Sequence, residues 1–325
     1  MKRSAPGLDR LVTEQVNPRS TDLDTKPALE IARIINSEDA RVAAAVQKVL
    51  PQVAQAIDWA AAAIAGGGRL IYVGAGTSGR IAALDAAECP PTFNTDPKTV
   101  QFVIAGGNRA LGAAVEADED SRKLGIQEMR KKKPGHRDVV VGLAASGRTP
   151  FTVAAVEYAR REGARTVAVA SNPRSPLQKA AELAIVVETG AEVVSGSTRM
   201  KAGTAQKMVL NMISTGAMVR LGYVYGSLMV KVHPKNVKLT ERAITILHRA
   251  TGLSRNESEK MLRRSGGSIP IALVMFKARA SRFRAEQALI AADGHIRRAI
   301  SLAQKRRRAT ALGAIQSVHG LYQST

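Results

Sequence analysis

The sequence predicts an α/β protein built on an open parallel sheet of about five strands, with helices on both faces. Two observations carry this. Continuously apolar runs at Leu70–Val73, Val100–Ile104, Asp138–Leu143, Thr166–Ala170 and Ala184–Val187 alternate with helical text, as strands buried on both faces do. The stretch 69–80, RLIYVGAGTSGR, runs from such a segment through a glycine-rich turn into an alanine-rich helical pattern, which reads as strand, loop and helix start. Such a junction is an anion site: unpaired backbone N–H groups, the helix dipole and close approach over glycine all favour negative charge there.

Ahead of the sheet, residues 1–61 form a helical arm. Its polar text TEQVNPRSTDLD precedes an amphipathic segment 28–35 and then Val42, Val46, Val49, Val53, Ile57 and Ile64 at helical spacing. Pro51 is predicted to kink or break that helix, and Gly66-Gly67-Gly68 to end it. A sheet domain over 62–225 follows, closing with a long helix from beyond Thr198 to about Leu221 whose Met208, Met212 and Met218 are assigned to the core. Residues 226–325 read as a helical C-terminal domain with a basic tail, a capping box at Ser254 and Glu257, and breaks at Gly266-Gly267 and Gly294.

Composition narrows the function. At 45% hydrophobic and 23% charged residues the chain is of ordinary globular type. The absence of an 18-residue apolar run or a signal-like N-terminus predicts no membrane partner, and the cytoplasm is the default compartment. The single cysteine, Cys89, excludes an internal disulfide framework and is read as packing. A net charge of +21 invites a nucleic-acid partner, but residues 241–325, with 16 Lys and Arg against 5 Asp and Glu, hold over half of it. With only 3% aromatics there is little to stack on bases, and no nucleic-acid role is expected. The five histidines show no ligand spacing, so no metal is expected.

Gly74, Gly76 and Gly79 spell GxGxxG, yet the second strand ends in Ala105-Gly106-Gly107 without the acidic residue a dinucleotide ribose needs. Arg80 and Ile81 stand where a nucleotide P-loop needs Lys and Ser or Thr. Three hydroxyl-rich turns point elsewhere. Gly76, Thr77 and Ser78 follow the first strand; Ser146, Gly147, Arg148 and Thr149 follow the third; Ser195, Ser197, Thr198, Arg199 and Lys201 follow the fifth. Hydroxyls and backbone amides around a small dianion, with cations nearby, describe a pocket for a monosaccharide phosphate.

Two acidic positions are candidates for chemistry. Glu88 is followed by Cys89-Pro90-Pro91, so the helix is expected to stop there and leave Glu88 at its negative end, where a carboxyl that keeps its proton suits a general acid. The run AVEADEDS contributes Glu116, Asp118, Glu119 and Asp120, a solvated face or a base.

TEQVNPRS, LIYVGAGTSGR, LDAAECPPTF, AASGRTP, SGSTRMKAGTAQKMVLNMISTGAM and VYGSLMV, in this order, closely resemble the N-acetylmuramic acid 6-phosphate etherases of the sugar isomerase domain superfamily, over residues 11 to 300. The resemblance implies cofactor-free cleavage of the D-lactyl ether by elimination and hydration, and a homodimer. It implies that Glu88 is the acid and that the second carboxylate is Glu119 or Asp120. It also places Thr77, Ser78, Ser146, Arg148, Thr149, Ser195, Ser197 and Thr198 on the sugar phosphate, with Arg199 and Lys201 as charge partners. Pro27, Lys231, Pro234 and Lys235 depart from the family pattern, and the tail after Gln304 extends past its usual end. A sugar-phosphate sensor of the glucokinase regulatory type and an aldose-ketose isomerase are the alternatives.

Overall fold

The computed structural model describes residues 11–113, 115–232 and 236–305. Before the sheet come α1 (Ala28–Asp39), α2 (Val42–Gln47) and α3 (Leu50–Ala65). Pro51 sits in the first turn of α3, where its missing N–H costs nothing, so the predicted break is a helix start. Then β1 (Leu70–Gly74), α4 (Gly76–Phe93), β2 (Val100–Ile104), α5 (Arg122–Lys132), β3 (Val139–Leu143), α6 (Pro150–Arg161), β4 (Arg165–Ala170), α7 (Pro176–Ala180) and β5 (Leu183–Val186) alternate. The five strands form one parallel sheet in the order β2-β1-β3-β4-β5. Every residue of β1 and β3 is buried, as a strand covered on both faces requires.

The register pairs Leu70 with both Val100 and Val139, so the carboxyl ends of β1, β2 and β3 lie side by side. Strand order reverses between β1 and β3, and the crevice at such a reversal is where open α/β sheets bind ligands.

Helix α4 does not stop at Cys89, which corrects the expectation from sequence. It runs through Pro90 and Pro91 to Phe93 and ends at Asn94, whose φ is 55°. Proline φ fits a helix, and the two missing N–H groups leave only the carbonyls of Ala86 and Ala87 without their usual donors. Glu88 therefore lies more than a turn before the end, and it is exposed. Cys89 is buried, donates its S–H to the Asp85 carbonyl at 3.3 Å, and burial together with Asp85 pushes its thiol up to about 12.

Helix α8 (Lys201–Arg220) follows β5. Met218 is buried, whereas Met208 and Met212 are half-exposed, so two of the three methionines assigned to the core lie on its outer face.

The described residues divide into two compact units, one of residues up to 90 with 95–217 and the other of residues 91–94 with those from 218 on. In the second, a short hairpin of β6 (Val224–Tyr225) and β7 (Leu228–Met229) precedes α9 (Val237–Thr251), α10 (Arg255–Arg264), α11 (Ile269–Ala278) and α12 (Arg282–Ala291). Asn236, Ser254, Ser268 and Ser281 cap these four helices, with the capping box at Ser254 and Glu257 formed. Leu247, Ile269 and Leu273 are among their fully buried residues. Pro234, Lys235 and the basic tail from Arg306 lie outside the described residues.

Candidate active site

Helix α4 opens at Gly76, whose φ of 51° takes the chain from β1 into the helix. The close fit of strand and helix depends on Gly79: a Cβ there would fall 2.5 Å from Cγ1 of Ile104 and 3.0 Å from the Gly74 carbonyl oxygen. The GxGxxG spacing is thus explained by α4 packing tightly on β1 and β2. Helix α6 starts at Pro150, and Thr149 is its N-cap residue without making a side-chain cap bond. Two helix N-termini therefore open onto the crevice between β1 and β3, and both favour an anion.

A cavity of about 440 Å³ occupies this crevice. It is lined by Gly76, Thr77, Ser78, Ser146, Thr149 and Thr198 from all three hydroxyl-rich turns, and by two carboxylates, Glu14 and Glu119. Ser146 Oγ accepts the backbone N–H of Arg148 at 3.2 Å and keeps its own proton to donate. Glu119 is held against the first loop, its Oε1 lying 3.0 Å from where a Cβ on Gly76 would sit. Its backbone is fixed too, because the Phe151 N–H donates to the Glu119 carbonyl at 3.0 Å.

The other predicted residues are placed differently. Asp120 is exposed and does not line the cavity. Gly147 is buried with φ of 66°, and a side chain there would strike Ser175, so it shapes the turn. Arg148 is half-buried, Arg199 exposed, and Ser197 half-buried in the turn before α8. Ser195 donates to the Gln15 carbonyl at 3.3 Å. Arg80 does line the cavity, and its guanidinium donates to the carbonyls of Ala110 and Ala113 at 2.9 and 2.8 Å. Glu88, twelve residues along α4 from Gly76, stands about 18 Å up the helix at 1.5 Å per residue.

Lys201 does not line the cavity. Its ammonium is buried and donates to Glu38 Oε2 at 2.5 Å. Asn17 donates to the same oxygen at 2.9 Å, while Arg19 and Arg41 reach Oε1 at 3.3 and 3.2 Å. Burial pushes the Glu38 carboxyl up, but the bonds from Lys201, Asn17 and Arg41 outweigh it and hold the group at about 2. Glu192, also buried, accepts the N–H groups of Lys201 and Ala202 at 3.0 and 2.9 Å and so caps α8. This network fixes the turn carrying Thr198 to the N-terminal arm.

The arm itself crosses the carboxyl edge of the sheet. Asn172, after β4, accepts the Val12 N–H at 2.9 Å and donates to Thr13 Oγ1 at 3.0 Å. Gly196 N–H donates to the Thr13 carbonyl at 3.2 Å, and Ser20 Oγ to the Val193 carbonyl at 2.7 Å. These contacts bring Glu14 to the cavity, a residue that sequence reasoning noticed only as part of the TEQVNPRS motif.

Comparison with known proteins agrees with this architecture. The profile described as "Glucokinase regulatory protein N-terminal SIS domain" matches residues 42–160, and the SIS domain profile matches residues 128–215. "N-acetylmuramic acid 6-phosphate etherase 2" of Vibrio parahaemolyticus is 49% identical over 90% of this chain and 98% of its own length. The etherase of Cronobacter sakazakii is 50% identical over 90% and 99%, and that of Klebsiella aerogenes 47% over 90% and 98%. The glucokinase regulatory match stops short of α8 and the C-terminal helices, whereas the etherases align along nearly their whole length, and the chain belongs to the N-acetylmuramic acid 6-phosphate etherase family.

Proposed function

We propose that the chain cleaves the D-lactyl ether of N-acetylmuramic acid 6-phosphate with water, giving N-acetylglucosamine 6-phosphate and D-lactate. The observation that carries the reading is a carboxylate, Glu119, facing a hydroxyl-lined cavity at two helix N-termini. The phosphate takes the N-termini of α4 and α6 with Thr77, Ser78, Ser146 and Thr149. With the sugar open as the aldehyde, the C1 carbonyl acidifies C2 and Glu119 removes that proton. The electron pair forms the C2–C3 double bond, the C3–O bond breaks, and lactate leaves with a proton supplied by an acid. Water then adds at C3 and C2 is reprotonated, so substrate and water balance the two products.

Between the two acidic neighbours, Glu119 is assigned as the base because it lines the cavity and Asp120 does not. Glu119→Gln is expected to abolish lactate release and wash-in of deuterium at C2, while Asp120→Asn keeps both; the opposite pattern exchanges the roles.

The acid assigned by resemblance is Glu88, which stands about 18 Å along α4 from the loop that Glu119 touches. A side chain adds only about 5 Å of reach, so Glu88 and Glu119 of one chain do not meet on one sugar. The exposed face of α4 around Glu88 also carries Leu84, 52% exposed, and Ala87. Both features support a homodimer in which Glu88 of one copy serves the cavity of the other. A cytoplasmic enzyme is the corresponding proposal for location; among the described residues no helix is long and apolar enough to cross a membrane.

A further inference from the structure

We propose that Glu14 is a substrate-positioning residue of this cavity, its carboxylate accepting hydrogen bonds from the neutral donors of the sugar, the amide N–H and hydroxyls, away from the phosphate. The inference rests on the sugar-phosphate reading above and adds a residue to it.

Three observations carry it. Glu14 lines the same cavity as Glu119, but from another wall: its Oε2 lies 2.9 Å from where a Cβ on Gly196 would sit, whereas Glu119 stands against Gly76. Its backbone is fixed at several points, with Thr13 and Val12 bonded to Asn172 and Thr13 also to Gly196. Its carboxylate, in contrast, has no hydrogen bond or ion pair among the described residues, although the side chain is half-buried. Glu38 shows the alternative: that structural carboxylate takes four donors.

A half-buried carboxylate that lines the cavity without a protein donor is placed to accept from a ligand that brings one. Charge selects which end of the ligand it meets. A phosphate is repelled by a carboxylate and drawn to the two helix N-termini, so the wall bearing Glu14 takes the uncharged part of the sugar. The N-terminal arm thereby acquires a function beyond packing: through Glu14 it supplies a polar contact that selects a hexosamine skeleton over a bare phosphate.

The test uses the full chain, with N-acetylglucosamine 6-phosphate binding followed by calorimetry and inorganic phosphate as a competitive inhibitor. Glu14→Ala is expected to weaken the sugar phosphate about 10-fold or more and to raise KM more than it lowers kcat. Inhibition by inorganic phosphate and the unliganded Tm should be unchanged, and Glu14→Gln, whose amide oxygen still accepts, should recover most of the affinity. Gln15→Ala, altering an exposed neighbour on the same turn, should bind like wild type. Unchanged sugar-phosphate affinity in Glu14→Ala overturns the proposal, as does equal loss of sugar phosphate and inorganic phosphate, which marks a displaced arm. Failure of the wild-type chain to bind the sugar phosphate instead overturns the functional reading itself.

Discussion

The side chains of this site separate into those spent on the fold and those left for a ligand. Lys201 and Glu38 belong to the first group, and each is about 1% exposed. Removing one partner of a buried pair strands the other charge, so Lys201→Met should cost about 3 kcal/mol in denaturant unfolding, with Arg19 and Arg41 preventing a larger loss. The folded carboxyl of Glu38 titrates near 2, below its ordinary value of 4.5. Its contribution is therefore fully present above about pH 4.5 and is lost as pH falls toward 2. Wild-type stability should decline through that window, more steeply than in Glu38→Gln; parallel profiles would contradict the assignment. Lys201 also shows a partner that sequence spacing hides. In SGSTRMK a lysine after three hydroxyls looks like an anion partner, and its actual partner, Glu38, is 163 residues away.

At the scale of elements, the strands were legible to within a residue because each is a continuous apolar run between glycines or charged residues. The cap of α10 was legible for a similar reason: Ser254, with Glu257 three residues on, directly precedes a helical period. The far end of α4 was not, because consecutive prolines are ordinarily a stop, yet their φ fits a helix and α4 runs on to Phe93. The near end of α4 gives the sharper test. Gly79 packs on Ile104 and the Gly74 carbonyl with no room for a methyl group. Gly79→Ala should destabilise by about 1–3 kcal/mol through overpacking, and KM should rise as the first turn of α4 moves off the phosphate. Stability and KM both equal to wild type would show that α4 tolerates a shift there.

For the molecule as a whole, strand order brings the turns after β1 and β3 together, and Thr198 of the turn before α8 joins them at the cavity. The distance along α4 between the cavity and Glu88 follows from the sequence as well, because twelve residues of one helix separate Glu88 from Gly76. If two copies share each site, Glu88→Gln and Glu119→Gln are each inactive alone, yet a randomly mixed population recovers about a quarter of wild-type activity, because half the dimers then hold one intact site of two. No recovery on mixing would place both residues in one chain's site.

Isotope labelling with N-acetylmuramic acid 6-phosphate tests the central claim most directly. In water carrying heavy oxygen and deuterium, elimination and hydration place the heavy oxygen at C3 and deuterium at C2 of N-acetylglucosamine 6-phosphate, and leave the lactate hydroxyl unlabelled. Unphosphorylated N-acetylmuramic acid should turn over far more slowly, because the anion contacts at the N-termini of α4 and α6 are then unused. Heavy oxygen in the lactate hydroxyl, or an isomerised sugar with its ether intact, would contradict the account.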